Sequence, residues 1–297
     1  MGNKKVVKEQ IEATNKQAGG ATLTKSGRNY TLGHVYRTLH KDLNIQVKSA
    51  KHLKTQHIQK YVTHELEQGK SIRTIQDKLS HIRTALRAEN RGTFADQLKN
   101  ATLIGSKASR DGTHRALSQK QYEAALGASK GLDEGFHACL QLQRELGLRM
   151  REAIQSVDYL KIWEKKLSKG EKIRVVAGTK GGRARDTAAL DPKRALKAVK
   201  TALEATKTSG KWLIRSSTLQ GAARAYGRFC KAVGLTGEYA SHALRCNYAR
   251  DRYEQHLAYY DGNRKLALAE TSLDLGHGDS RGRYVAQVYL KNAPIED

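Results

Sequence analysis

Clustered cysteines are missing from this chain. Cys139, Cys230 and Cys246 lie far apart and form no CxxC pair, so neither a zinc site nor a disulfide framework is indicated, and a reducing cytoplasm fits. No apolar run approaches the roughly 18 residues that a membrane span needs, and the opening MGNKKVVKEQ lacks the apolar centre of a secretion signal. No membrane partner is therefore expected. A phosphate loop of GxxxxGK[ST] form and a carboxylate cluster suited to Mg²⁺ are also absent, so neither a nucleotide cofactor nor a metal is expected. Acidic side chains are in short supply: 29 Asp and Glu stand against 54 Lys and Arg, a formal charge of +25. A surface with that excess presents a strong positive field, and a polyanion, nucleic acid first, is its natural partner.

The positive charge is not a tail. Residues 1–105 carry 19 basic and 8 acidic side chains and residues 106–297 carry 35 and 21, as expected of two modules that both face one duplex. With 38% hydrophobic residues over 297 positions, the chain can bury a substantial core, divided between two domains. Residues 1–28 are polar around Gly19 and read as a flexible segment. From Tyr30 a helical period appears: Leu32, Val35, Tyr36, Leu39 and Leu43, then Ile58, Tyr61, Val62 and Leu66 before a stop at Gly69. Ser71 is placed to cap a third helix with Ile72, Ile75, Leu79, Ile82 and Leu86 on one stripe. Arg73, Arg83 and Arg87 fall beside that stripe within an arc of about 80°. They form either a phosphate-facing edge or a solvated helix face.

The small polar stretch IGSKASRDGTHR marks a linker at 106–115. Beyond it, a capped helix is expected from Ser118 and a more buried one over Phe136–Leu146. Short apolar alternations at Tyr159–Trp163, Ile173–Ala177 and Thr187–Leu190 predict a small antiparallel sheet, and the pattern returns to helix after Asp191. The fold class is therefore α+β and mostly helical, with a helical module over 29–105 and a mixed helical domain with a small sheet over 116–297.

Four segments of the second domain carry chemistry. In GLRMRE, Arg149 opens a helix beside Glu152, which can hold its orientation. In TKGGRAR, Lys180 sits at a hairpin tip. In SHALR, His242 and Arg245 are three residues apart and share one face of a helix's first turn, where backbone N–H groups also favour an anion. In LGH, Gly276 stops a helix and exposes His277 in a tight turn.

Each segment is common alone, but the four in this order resemble the tyrosine recombinase/integrase family, the phage-integrase and Xer-like site-specific recombinases. GLRMRE resembles its first-arginine box, TKGGRAR its β-hairpin lysine box, HALR its HxxR box and LGH its second-histidine box. KTQHIQKYV and SIRTIQDKLSHIRTALR are similar to the helical domain that binds the core DNA site. The resemblance implies that Arg149 and Arg245 hold the non-bridging oxygens of the scissile phosphate. It further implies that Lys180 protonates the 5′ leaving oxygen, His242 handles the nucleophile's proton and His277 hydrogen-bonds the phosphate.

The family's nucleophilic tyrosine usually follows the second histidine by about nine residues, where this chain has Ala286. Tyr289, within QVYLK, is the preferred substitute, with Asp279–Arg283 as a small insertion; Tyr284 is the alternative. The resemblance implies cutting and rejoining of double-stranded DNA through a 3′-phosphotyrosine, without metal or ATP, in integration, excision, inversion or resolution. It also implies a homotetramer on two DNA sites, accessory DNA-bending or directionality proteins, and a cytoplasmic, nucleoid-associated location. The competing expectations are a type IB topoisomerase and an architectural DNA-binding protein that has lost cleavage.

Overall fold

Polar residues 1–28 do not behave as the sequence leads one to expect. In the computed structural model, which describes residues 2–105 and 111–290, they contribute helix α1 (Gly2–Ala18) and the start of α2 (Thr22–Lys41). What orders α1 is one apolar contact and a polar seam: Ile11, Thr14 and Asn15 are buried, and Asn15 donates to the Lys25 carbonyl at 2.6 Å and accepts from Arg28 at 2.5 Å. Sequence periodicity sees only the first of these.

The chain divides into two compact units, residues 1–109 and 110–297. In the first, α3 (Thr55–Glu67), α4 (Ile72–Ala88), α5 (Gly92–Gln97) and α6 (Asn100–Ile104) complete an all-helical module. Ser71 caps α4 by accepting a bond from the Thr74 N–H at 3.2 Å, and Ile75, Leu79, Ile82 and Leu86 are fully buried against Leu32, Val35, Leu39 and Ile58. Each such side chain stabilises by about 1.5–3 kcal/mol, which explains why the 3.6-residue stripe dictates the packing.

The second unit is built on α8 (Glu134–Leu146). Its Phe136, Cys139, Leu140, Leu142 and Leu146 are buried among α11 (Pro192–Ser209), α12 (Leu219–Ala232) and α13 (His242–Tyr259). Ser118 caps α7 (Gln119–Ser129), and short α9 (Met150–Ile154) follows α8. All three cysteines are buried and free.

The sheet is smaller than expected. Strands β1 (Ile173–Val175) and β2 (Arg185–Thr187) pair antiparallel with Ile173 opposite Thr187 and Val175 opposite Arg185. Tyr159–Trp163 is not a strand: Leu160, Trp163 and Leu167 are the buried positions of helix α10 (Leu160–Leu167), spaced three and four apart. The chain closes with α14 (Arg264–Asp274), α15 (Gly282–Val285) and a π-helical turn over Ala286–Leu290. Among the described residues no helix is long and apolar enough to cross a membrane. Residues 106–110, within the expected linker, and 291–297 lie outside the described residues.

Candidate active site

The site starts where α8 stops. Gly147 takes a left-handed conformation (φ 59°), and a Cβ there would run into the Tyr248 ring, so only glycine lets the chain turn this close to α13. The turn delivers Arg149 to the first residue before α9, where Glu152 reaches back. Its carboxylate accepts the Arg149 backbone N–H at 2.8 Å and the Arg149 guanidinium at 2.7 Å. The same carboxylate receives Arg185 Nη2 at 2.7 Å. Burial alone would raise the Glu152 carboxyl, but Arg185, Arg245 and Arg149 around it outweigh that and hold it below the usual carboxylate range.

Arg245, on the first turn of α13, is completely buried. It donates to the Gly147 carbonyl and, at 2.5 Å, to the Leu275 carbonyl, so it ties the end of α8 to the end of α14. Its Nε points at the Tyr289 hydroxyl, 3.4 Å away. A guanidinium has five N–H donors, and these three contacts use three of them.

Gly276 ends the α14 segment with φ 71°, and its backbone packs on the Arg185 side chain so closely that no Cβ would fit. The turn presents His277, whose Nε2 lies 3.1 Å from the Tyr289 hydroxyl. The His242 ring approaches the same phenol from α13, with centroids 5.8 Å apart. Burial, followed by the positive charge of Arg245, pushes the pKa of each histidine down to about 3, so both rings are neutral near pH 7. A neutral imidazole can accept a proton; an imidazolium cannot.

The geometry therefore gathers Arg149, His242, Arg245, His277 and Tyr289 around one spot. Tyr289 is 3% exposed, whereas Tyr284 is 38% exposed and meets His277 ring to ring at 5.0 Å. Ala286, at the usual spacing from His277, begins the π-helical turn that carries Tyr289. Such turns add a residue to a helix and re-aim the side chains beyond it. Lys180 occupies the turn between β1 and β2 with its side chain exposed, and the loop is anchored at Gly178, which packs against the backbone of Arg151 and Glu152. Lys180 is tied to the arginine turn through its loop rather than through its own ammonium.

The three arginines of α4 do not share one environment. Arg73 is exposed. Arg87 pairs with Asp96 at 2.5 Å. Arg83 Nη1 turns into its own unit, donating to the Leu98 carbonyl and to Asn100 Oδ1 at 2.9 Å each.

Two site residues escape the sequence reading. Arg185 is 6% exposed on β2, facing inward beside Thr187, and burial together with Arg245 lowers its pKa to about 10, still protonated at neutral pH. The alternation of Arg185, Asp186 and Thr187 is the signal that could have found it. His114 meets the His242 ring tilted, with centroids 5.2 Å apart, and nothing periodic surrounds it. Among the described residues no group of three or more His, Cys, Asp or Glu is placed to hold a metal.

Known proteins resemble this chain over both of its units. Residues 105–251 match a family model described as Integrase, and residues 5–95 match one described as Phage integrase, N-terminal. No curated protein matches the sequence. Among solved structures, a lambda integrase tetramer bound to a Holliday junction is similar with a TM-score of 0.58 at 16% identity, over 92% of this chain and 75% of that one. A lambda integrase dimer bound to a COC′ core site gives 0.58 at 17%, over 98% and 79%. Residues 75–356 of lambda integrase bound to DNA give 0.52 at 17%, over 86% and 89%. At these identities the likeness shows the fold.

Proposed function

The chain belongs to the tyrosine recombinase/integrase family, and from that premise we propose that it cuts and rejoins DNA at specific sites through a 3′-phosphotyrosyl intermediate formed by Tyr289. The observation that carries the proposal is the Tyr289 hydroxyl, within hydrogen-bond reach of both His277 Nε2 and Arg245 Nε.

A phenol with a pKa near 10 is a poor nucleophile at neutral pH. Arg245 Nε points at the oxygen that attacks, and a neutral histidine can take the proton as attack proceeds. His277 is the nearer base here, so it takes the proton that the family resemblance gives to His242; the His242 ring then flanks the phenol. The phenolate oxygen attacks phosphorus, the bond to the 5′ oxygen breaks, and that oxygen leaves as a hydroxyl with a proton from Lys180. Arg149 and the free N–H groups of Arg245 stabilise the charge that builds on the non-bridging oxygens. Reversal by a 5′-hydroxyl of a second strand rejoins the DNA, and the ester conserves the bond energy. Four copies on two duplexes would provide that second strand, and lambda integrase is known as a tetramer bound to a Holliday junction.

The test uses a pool of duplexes with a nick near a randomised core, which traps any adduct because the short cleaved piece diffuses away. An SDS-resistant protein–DNA complex supports the proposal. Sequence-selective binding with no such complex would favour the architectural reading instead.

A further inference from the structure

The first described stretch of the second unit, residues 111–114, runs directly across the turn that carries Tyr289. The Gly112 N–H donates to the Gln287 carbonyl at 3.2 Å, and Gln287 Nε2 donates to Asp111 at 3.1 Å. Gly112 also lies so close to the Val288 carbonyl that an added Cβ would collide with backbone. Two residues on, the His114 ring lies 5.2 Å from that of His242, which is in turn 5.8 Å from the Tyr289 ring. One short strap therefore touches both the residue before and the residues around the reactive phenol, and it does so from outside the four sequence boxes.

We propose that Asp111–His114 is a positioning strap: Gly112 and Asp111 fix the Tyr289 turn, and the His114 ring fixes the plane of His242. The proposal rests on the reading of Tyr289 as nucleophile. The physical need is clear from the turn itself. The π-helical turn over Ala286–Leu290 continues a helix of four residues, and an error of about 1 Å in the placement of a nucleophile can cost on the order of a hundredfold in rate. The Gly112 bond and the glycine's close approach restrain the turn at Gln287 and Val288, next to Tyr289. The His114 ring meets that of His242 tilted by 59°, close enough to restrain how the His242 ring can turn.

The experiment compares the wild-type chain with Gly112→Ala, His114→Ala and His114→Phe. Each carries 3-fluorotyrosine at position 289 and is assayed on a nicked duplex recovered from the randomised pool. Three quantities are read: the DNA dissociation constant, the single-turnover rate of adduct formation at saturating DNA, and the ¹⁹F resonance of residue 289 without DNA. The expected result is an adduct rate lower by about tenfold or more in Gly112→Ala and in His114→Ala. DNA affinity should stay within about twofold, the ¹⁹F resonance should shift or broaden, and His114→Phe should recover most of the rate because it keeps the ring.

Unchanged rates in Gly112→Ala and His114→Ala would overturn the proposal. So would slower rates with an unmoved ¹⁹F resonance, because the loss would then not pass through the Tyr289 turn. If Tyr289 is not the nucleophile, the wild-type adduct maps to another residue, a failure separate from that of the strap. Should Gly112→Ala not fold, the pair of His114 variants decides alone.

Discussion

His277 Nε2 lies 3.1 Å from the Tyr289 hydroxyl, at the end of a helix stopped by Gly276 and opposite the π-helical turn over Ala286–Leu290. The pair joins an imidazole that burial keeps neutral to a phenol that the buried Arg245 guanidinium also reaches. The arginines around it supply the charge that a phosphate would meet.

Arg149→Ala removes a guanidinium that is anchored at Glu152 yet partly open to solvent. Cleavage at saturating DNA is expected to fall by about a hundredfold to a thousandfold, while the binding constant changes little. Single-turnover kinetics with a parallel binding titration check this. A variant that loses affinity but cleaves normally once saturated would contradict the charge-stabilising role.

Glu152 is the sole carboxylate bonded to both Arg149 and Arg185 among the described residues. Glu152→Ala leaves Arg185 buried without its counter-ion, and a loss of about 3–5 kcal/mol is expected. Urea unfolding gives the number. A loss below about 1 kcal/mol would mean that Arg185 finds another partner.

Acid should weaken the fold through the two site histidines. Their pKa values are about 3 in the folded chain against 6.5 for an ordinary histidine. Below 6.5 the unfolded chain therefore takes up protons that the folded chain refuses. The contribution of the neutral rings is complete above 6.5 and lost progressively as pH falls towards 3. Replacing both, His242→Asn with His277→Gln, is expected to flatten the decline of the urea midpoint between about pH 7 and pH 5. An equally steep decline would place the acid sensitivity elsewhere.

How far the sequence foretells this depends on what each residue does. Helix α4 is legible because its cap and its stripe are both local: Ser71 bonds three residues on, and the apolar positions recur every turn. Gly276 is legible because a glycine after an apolar run stops a helix. Tyr159–Trp163 reads wrongly as a strand because five residues are too few to tell alternation from a helical stripe, and only Leu167 completes the latter. Arg185 and His114 escape because their partners, Glu152 and His242, are distant in sequence. Tyr289 is singled out in the sequence by its neighbours in QVYLK, and the π-helical turn that carries it has no sequence signature.

The arginines of α4 separate by environment. Arg73→Ala is expected to lower the salt dependence of DNA binding by about one ion and to leave stability within about 0.5 kcal/mol. Arg83→Ala removes bonds to the Leu98 carbonyl and Asn100, and should cost about 1–3 kcal/mol of stability with no change in the salt slope. Unfolding midpoints and binding titrations across a series of salt concentrations distinguish the two. A reduced salt slope in Arg83→Ala would contradict its structural assignment.

The most direct measurement is the identity of the residue bonded to DNA. The adduct trapped on a nicked duplex is digested with protease and nuclease, and the nucleotide-bearing peptide is sequenced by mass spectrometry. The account requires the modification on Tyr289, with Tyr289→Phe abolishing the adduct and Tyr284→Phe retaining it. A phosphotyrosine at position 284, or an adduct that survives Tyr289→Phe, would contradict it.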